Sequence, residues 1–81
     1  MSENDILSIW KDRIEKEAKY GDKTQACKNV GTTMTTYQTA MRKEAFPELT
    51  DTELSVLVAM IKLLDARKEA AQKLQAQYAN Q

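Results

Sequence analysis

The side chains best suited to selective hydrogen bonding lie between residues 32 and 43, where five threonines share twelve positions with one glutamine, one arginine and one lysine. Threonine and glutamine exchange hydrogen bonds with base edges, the methyl groups of methionine and threonine contact the thymine methyl, and arginine binds guanine or phosphate. Six residues of this stretch are therefore candidate contacts for a bound partner: Thr33, Met34, Thr35, Gln38, Thr39 and Arg42.

Catalysis is not expected, because the chain has no histidine and only one cysteine. Without histidine, a nucleophilic serine or cysteine lacks its usual base, and a cysteine–histidine zinc cluster cannot form. Cys27 cannot make an internal disulfide and is interpreted as a small core side chain. The acidic residues around Pro47 lack the spacing and the glycine of a calcium loop. We expect no enzyme activity, no cofactor and no metal.

Basic charge is concentrated on the same part of the chain, although the net charge is zero. Residues 19–43 contain five bases and one acid, whereas residues 44–53 contain four acids and no base. A local basic face attracts phosphate even when the total charge is balanced. The candidate phosphate contacts are Lys19, Lys23, Lys28 and Lys43.

The length and the first residues of the sequence predict the number of domains and the cellular location. At 81 residues the chain is expected to form one domain. The first ten residues carry acidic charge instead of the basic charge of a secretory leader, and no apolar run approaches the ~18 residues of a membrane span. Together with the single cysteine, these features predict a cytoplasmic protein without membrane contact.

Two helical segments precede the threonine-rich stretch. Apolar residues recur every four positions in residues 1–18, at Ile6, Trp10, Ile14 and Ala18, which predicts an amphipathic helix. Gly21 is placed to end this segment in a left-handed conformation. Asp22, followed three residues later by Gln25, has the pattern of a capping box at the start of a second, short helix.

The threonine-rich stretch itself could be a strand by composition, because threonine favours strands. Its apolar residues, Val30, Met34, Tyr37 and Met41, are spaced four, three and four apart, which is the period of a helix. Thr32 or Thr33 can cap the start of this helix. Residues 22–44 are therefore predicted to form two helices joined at Gly31.

A long helix is predicted to follow, from residue 51 to residue 78. Pro47 disfavours helix at the residue before it, and Thr50 with Glu53 forms a second capping-box pattern. The apolar seam of the helix fades after Leu64, where the equivalent positions become polar. We expect its apolar face to assemble a dimer through Leu54, Leu57, Val58, Ile61 and Leu64.

Residues 23–42 resemble the helix-turn-helix family of DNA-binding proteins when Gly31 is taken as the turn glycine. Cys27 then occupies the position, four residues before the glycine, where the family has a small residue. Four further positions that are usually apolar are filled by Ala26, Val30, Tyr37 and Ala40. Thr32 departs from the pattern, since the residue after the glycine is usually valine, isoleucine or leucine.

Residues 15–45 also look like the small phage-type transcription regulators, in which such a unit is followed by a long C-terminal helix that assembles the oligomer. The resemblance implies a compact all-α domain that binds double-stranded DNA as a homodimer and regulates transcription. In its register the exposed face of the second helix supplies the base contacts, which are Thr33, Met34, Thr35, Gln38, Thr39 and Arg42. The alternative is a helical structural or protein-interaction module, in which residues 51–78 bind a protein partner and the threonine face is inert.

Overall fold

Four α-helices and one short 3-10 turn make up the computed structural model, which describes residues 3–79, with side chains from residue 6 onward. In chain order these are α1 (Glu3–Glu17), α2 (Asp22–Val30), α3 (Met34–Arg42), the 3-10 turn (Phe46–Glu48) and α4 (Asp51–Ala79). No strand occurs within these residues, so the predicted all-α fold and long C-terminal helix are confirmed. The predicted start of the first helix at residue 1 lies outside the described residues.

The core is built around the first half of α4, which packs against all three preceding helices. It contains the side chains of Leu7, Ile14, Ala26, Cys27, Tyr37, Ala40, Val56, Leu57, Met60, Ile61 and Leu64. Trp10 of α1 meets Phe46 edge to face, with ring centroids 5.4 Å apart. This contact attaches the 3-10 turn to α1 and so fixes the connection between α3 and α4. None of the helices in residues 3–79 is both long and apolar enough to cross a membrane.

Of the two predicted capping boxes, the one at the start of α4 forms and the one at the start of α2 does not. At the start of α4, Glu53 N–H donates to Thr50 Oγ1 at 3.2 Å and Thr50 N–H donates to the Glu53 carboxylate at 2.8 Å, so this box is confirmed. The box at the start of α2 is absent, and Gly21 in a left-handed conformation (φ 92°) precedes the helix without a side-chain cap. The Asp22 carboxylate is engaged elsewhere, because one oxygen accepts the Lys19 N–H at 2.7 Å and the other is bound by Arg67 of α4 at 2.6 Å.

The predicted dimer face of α4 needs a correction. Leu57, Ile61 and Leu64 are 0 %, 9 % and 2 % exposed in the single chain, so they cannot line an interface between two folded copies. Their apolar seam packs against the protein's own α1, α2 and α3 instead. Of the five residues proposed for this interface, Leu54 is 37 % exposed and Val58 is partly buried, and both remain accessible to a partner.

Candidate nucleic-acid interface

The turn between α2 and α3 is built on Gly31, which has a φ of +79°. Its N–H and that of Thr32 both donate to the Cys27 carbonyl at 2.9 Å, and the Gly31 N–H also lies 3.2 Å from the Lys28 carbonyl. This bonding closes the end of α2 as a Schellman motif, which favours glycine because other residues are strained at positive φ. Thr33 then caps α3 by accepting the Thr36 N–H at 3.4 Å. The turn therefore connects α2 to α3 through only three residues.

Small and aromatic side chains hold α2 and α3 together from the inside. Ala26 and Ala40 are fully buried, and Cys27 and Tyr37 are 4 % and 3 % exposed. Burial raises the pKa of the Cys27 thiol, which donates weakly to the Thr33 carbonyl at 3.6 Å. Burial also raises the pKa of Tyr37 to about 12, with smaller contributions from Cys27 and Glu15. Both groups are therefore neutral at physiological pH and act as packing elements.

The opposite face of α3 carries the predicted base contacts. Four of them, Met34, Thr35, Gln38 and Arg42, are exposed, and so is Thr33 in the turn before the helix. Thr39 is partly buried, and its hydroxyl donates to the Thr35 carbonyl at 2.9 Å within the same helix. The Thr39 oxygen can still accept a hydrogen bond, but its proton is engaged. Five of the six residues are therefore exposed on α3 or in the turn before it.

The four predicted phosphate contacts do not form one group. Lys19, Lys23 and Lys28 are exposed, and the Lys23 ammonium lies 5.8 Å from the centroid of the Tyr37 ring. Lys43 is partly buried, and its ammonium donates to the Glu48 carbonyl at 3.0 Å and lies 3.8 Å from the buried Glu53 carboxylate. Because these contacts join the end of α3 to the start of α4, we reassign Lys43 to a structural role.

The two flanks of α3 differ in charge. On the side facing α1, a cleft contains Lys23 and Arg42 beside Gln38 and a single acid, Glu15. On the side facing α4, the groove is lined by Thr35, Thr36, Thr39, Lys43, Thr50, Thr52 and Glu53. Glu44 and Glu48 lie beyond the end of α3 beside Arg42 and Lys43, and Glu44 also lines a cleft with Lys11, Asp12 and Glu15 of α1. Basic charge therefore predominates in the cleft that contains Lys23 and Arg42, and acidic charge lies beyond the C-terminal end of α3.

Two charged contacts that position this site were missed by sequence reasoning. Arg67 binds the Asp22 carboxylate and lies 3.4 Å from the Glu17 carbonyl, which ties α4 to the start of α2. Lys43 and Glu53 tie the end of α3 to α4. One of them had a signal in the sequence, because Arg67 continues the spacing of Met60 and Leu64 on the core-facing side of α4. Lys43 had none.

Comparison of the chain with protein-family models, with curated proteins and with solved structures found no significant match. Within the described residues, no group of three or more histidine, cysteine, aspartate or glutamate side chains is arranged to hold a metal ion. The arrangement offers hydrogen-bond donors, acceptors and cations on the exposed face of α3.

Proposed function

We propose that the protein binds double-stranded DNA by placing α3 in the major groove, and that it works in the cytoplasm as a small, non-catalytic transcription regulator of phage or mobile-element type. The observation that carries this proposal is the outward face of α3, where Thr35, Gln38 and Arg42 are exposed at helical spacing directly after a tight turn. The major groove accommodates an α-helix, and these side chains match the hydrogen-bonding groups of base edges.

Exposed lysines near α3 support contacts with the DNA backbone. Lys19, Lys23 and Lys28 are exposed on α2 and on the segment before it, where they can contact phosphates. Lys23 also lines the cleft beside α3 together with Arg42. In a dimer, two such units would read half-sites separated by about one helical turn (~34 Å).

Binding of a random-sequence duplex library at different salt concentrations tests the proposal. Affinity should fall steeply as salt rises, because each neutralised phosphate releases a counterion. Lys23→Ala should weaken binding to all sequences and reduce the salt slope by about one. A library that shows no binding at ~50 mM salt would contradict DNA binding by this protein.

Replacing the exposed arginine of α3 tests base recognition separately from charge. Arg42→Ala should cost about 1–3 kcal/mol at one position of the selected sequence and relax the preference there. Lys68→Ala removes the same charge from an exposed site on α4, so it is the matched control and should leave the selected sequence unchanged. Loss of helix in Arg42→Ala, seen by circular dichroism, would instead place Arg42 in the structure.

A second candidate function is a helical protein-interaction module without DNA binding. It is favoured by the exposed apolar side chains of α4, among them Leu54, Leu74 and Tyr78, which are 37 %, 53 % and 69 % exposed. Apolar contacts survive high salt, whereas phosphate contacts do not. A specific complex with a protein that persists at about 1 M salt, where the Debye length is only about 3 Å, together with no DNA binding at low salt, would favour this function.

A further inference from the structure

The last twelve described residues of α4 extend beyond the rest of the fold. The helix has 29 residues, which corresponds to about 43 Å at 1.5 Å per residue. Its last charged contacts with the other helices are made by Arg67, which binds Asp22 and Glu17. Every position from Lys68 to Ala79 is exposed, including Leu74 and Tyr78. We call residues 68–79 the distal arm.

An apolar groove lies between the first half of the same helix and the end of α2, at the edge of the core. It is lined by Asn29, Val30, Leu54, Ser55, Val58, Ala59, Lys62, Leu63 and Ala66. The groove is open to solvent, and its apolar side chains come mainly from α4. It is therefore long and shallow, a shape that fits a second helix.

The groove and the distal arm lie on one line. Ala59, Leu63, Ala66, Ala70 and Leu74 follow one another at spacings of four, three, four and four residues, which keeps them on one side of a helix. This stripe is separate from the core-facing stripe of Leu57, Met60, Ile61 and Leu64. The stripe runs from the groove, which contains Ala59, Leu63 and Ala66, into the distal arm, which contains Ala70 and Leu74. Each copy can therefore supply both surfaces of a helix–helix contact.

We propose that the occupant of the groove is a second copy of this chain, with the two α4 helices antiparallel and the distal arm of each copy lying in the groove of the other. The charges beside the stripe support this arrangement. Lys62 and Glu69 are seven residues apart and so share the same side of the helix. An antiparallel pair centred between Asp65 and Ala66 places Lys62 of each copy opposite Glu69 of the partner subunit.

The same register brings the apolar residues of the arm to the groove. Leu74 reaches the level of residue 57 in the other copy, next to Val58 and Ala59 of the groove. In a parallel pair, each flank of one helix faces the opposite flank of the other, so Lys62 and Glu69, which share one flank, would not meet. The arrangement is isologous, as in most homodimers, because each copy supplies one groove and one arm.

This inference deepens the proposed function, because it rests on the dimer that we propose and specifies how it forms. It requires no DNA, so the test uses the full chain alone, by sedimentation equilibrium from micromolar to about millimolar concentration. Failure of the test therefore leaves DNA binding by α3 untouched. The wild-type chain should be a dimer, and a chain that stays monomeric throughout this range would overturn the proposal and leave the groove to another protein.

Charge exchange tests the antiparallel register. Lys62→Glu and Glu69→Lys, made singly, each place like charges opposite each other twice in the dimer and should raise its Kd on the order of tenfold. The double variant restores both pairs and should return the Kd to near the wild-type value. A double variant that dimerises no better than the single ones would overturn the register.

Leu74→Asp tests the apolar half of the pairing. The side chain is 53 % exposed and outside the core, so the variant should keep its helix content while the dimer Kd rises tenfold or more. Gln72→Asp adds the same charge in the same turn on the other side of the helix, and it should leave the Kd within about threefold of wild type. A Leu74→Asp variant that dimerises like Gln72→Asp would overturn the proposal.

Discussion

The two halves of α4 share one backbone helix but have opposite surroundings. Between Asp51 and Leu64, six residues are buried, and one of them is the acid Glu53. Between Asp65 and Ala79, every residue is exposed except the partly buried Arg67. Both halves are rich in good helix formers, so helix formation alone does not distinguish them. The difference teaches that local propensity sets the length of α4, whereas tertiary contacts decide which part of it stabilises the fold.

The largest expected effect comes from removing a core side chain of the first half. Leu57→Ala should lower the free energy of unfolding by about 2–5 kcal/mol, because it removes fully buried methyl groups and leaves a cavity. Leu74→Ala in the distal arm should change it by less than about 0.5 kcal/mol. Urea unfolding at low protein concentration, where the dimer is dissociated, provides the measurement. Equal losses in the two variants would remove the distinction between the halves.

The next effect concerns the boundary between the halves, where Arg67 binds Asp22. The hydrogen bond from Arg67, and then the one from the Lys19 N–H, hold the pKa of Asp22 below its ordinary value of 3.8. A carboxyl group with a lowered pKa in the folded state stabilises that state fully above its unfolded pKa. This contribution is lost as the pH falls through the folded-state value. Asp22→Asn should therefore be less stable than wild type near pH 7, by less than Leu57→Ala.

Thermal unfolding of Asp22→Asn and wild type between pH 7 and pH 2 checks this prediction. The difference in Tm should be constant down to about pH 4 and then shrink, because protonation removes the charge that the variant already lacks. Glu53 also contributes acid sensitivity in both proteins, since the Thr50 N–H lowers the pKa of its carboxyl group. A Tm difference that is independent of pH would show that Asp22 acts through shape instead of charge.

A smaller effect is expected at the start of α4. Thr50→Ala removes the hydroxyl that accepts the Glu53 N–H, and loss of such a cap costs about 1 kcal/mol. Thr50→Ser keeps the hydroxyl and is the matched control, with an unfolding free energy within about 0.5 kcal/mol of wild type. Urea unfolding of the two variants makes the comparison. If both lose the same free energy, the threonine methyl and not the cap supports the first half of the helix.

Much of this fold could be predicted from short stretches of sequence. The periods of the apolar residues, the glycine at position 31 and the Thr50–Glu53 capping box each depend on residues at most four apart, where local geometry decides the outcome. The exposed face of α3 could be predicted for the same reason, since Tyr37 and Ala40 fix the buried side of that helix.

The partners of each face could not be predicted, because they depend on residues far apart in the chain. The apolar seam of α4 indicated that Leu57, Ile61 and Leu64 would be covered, but one sequence cannot distinguish the chain's own helices from those of a second copy. Similarly, Asp22 has the pattern of a cap, yet Arg67 binds it from 45 residues away. Lys43 belongs to a basic stretch, and only the fold brings it to Glu53.

The smallest expected effect comes from the same substitution made in each half of α4, and it tests whether helix formation in the distal arm contributes to the stability of the fold. Ala59→Gly and Ala71→Gly make the same change in the first and second halves of α4, and glycine disfavours helix by about 1 kcal/mol relative to alanine. In the first half this cost should appear in the unfolding free energy, because the helix there unfolds together with the core. In the distal arm the helix can fray on its own, so Ala71→Gly should reduce the circular dichroism signal while the unfolding free energy stays within about 0.3 kcal/mol of wild type. Amide hydrogen exchange should accordingly be faster from Lys68 onward than between Val56 and Leu64. An Ala71→Gly variant that loses as much stability as Ala59→Gly would mean that α4 unfolds as one cooperative unit, with the arm coupled to the core through the backbone of the helix.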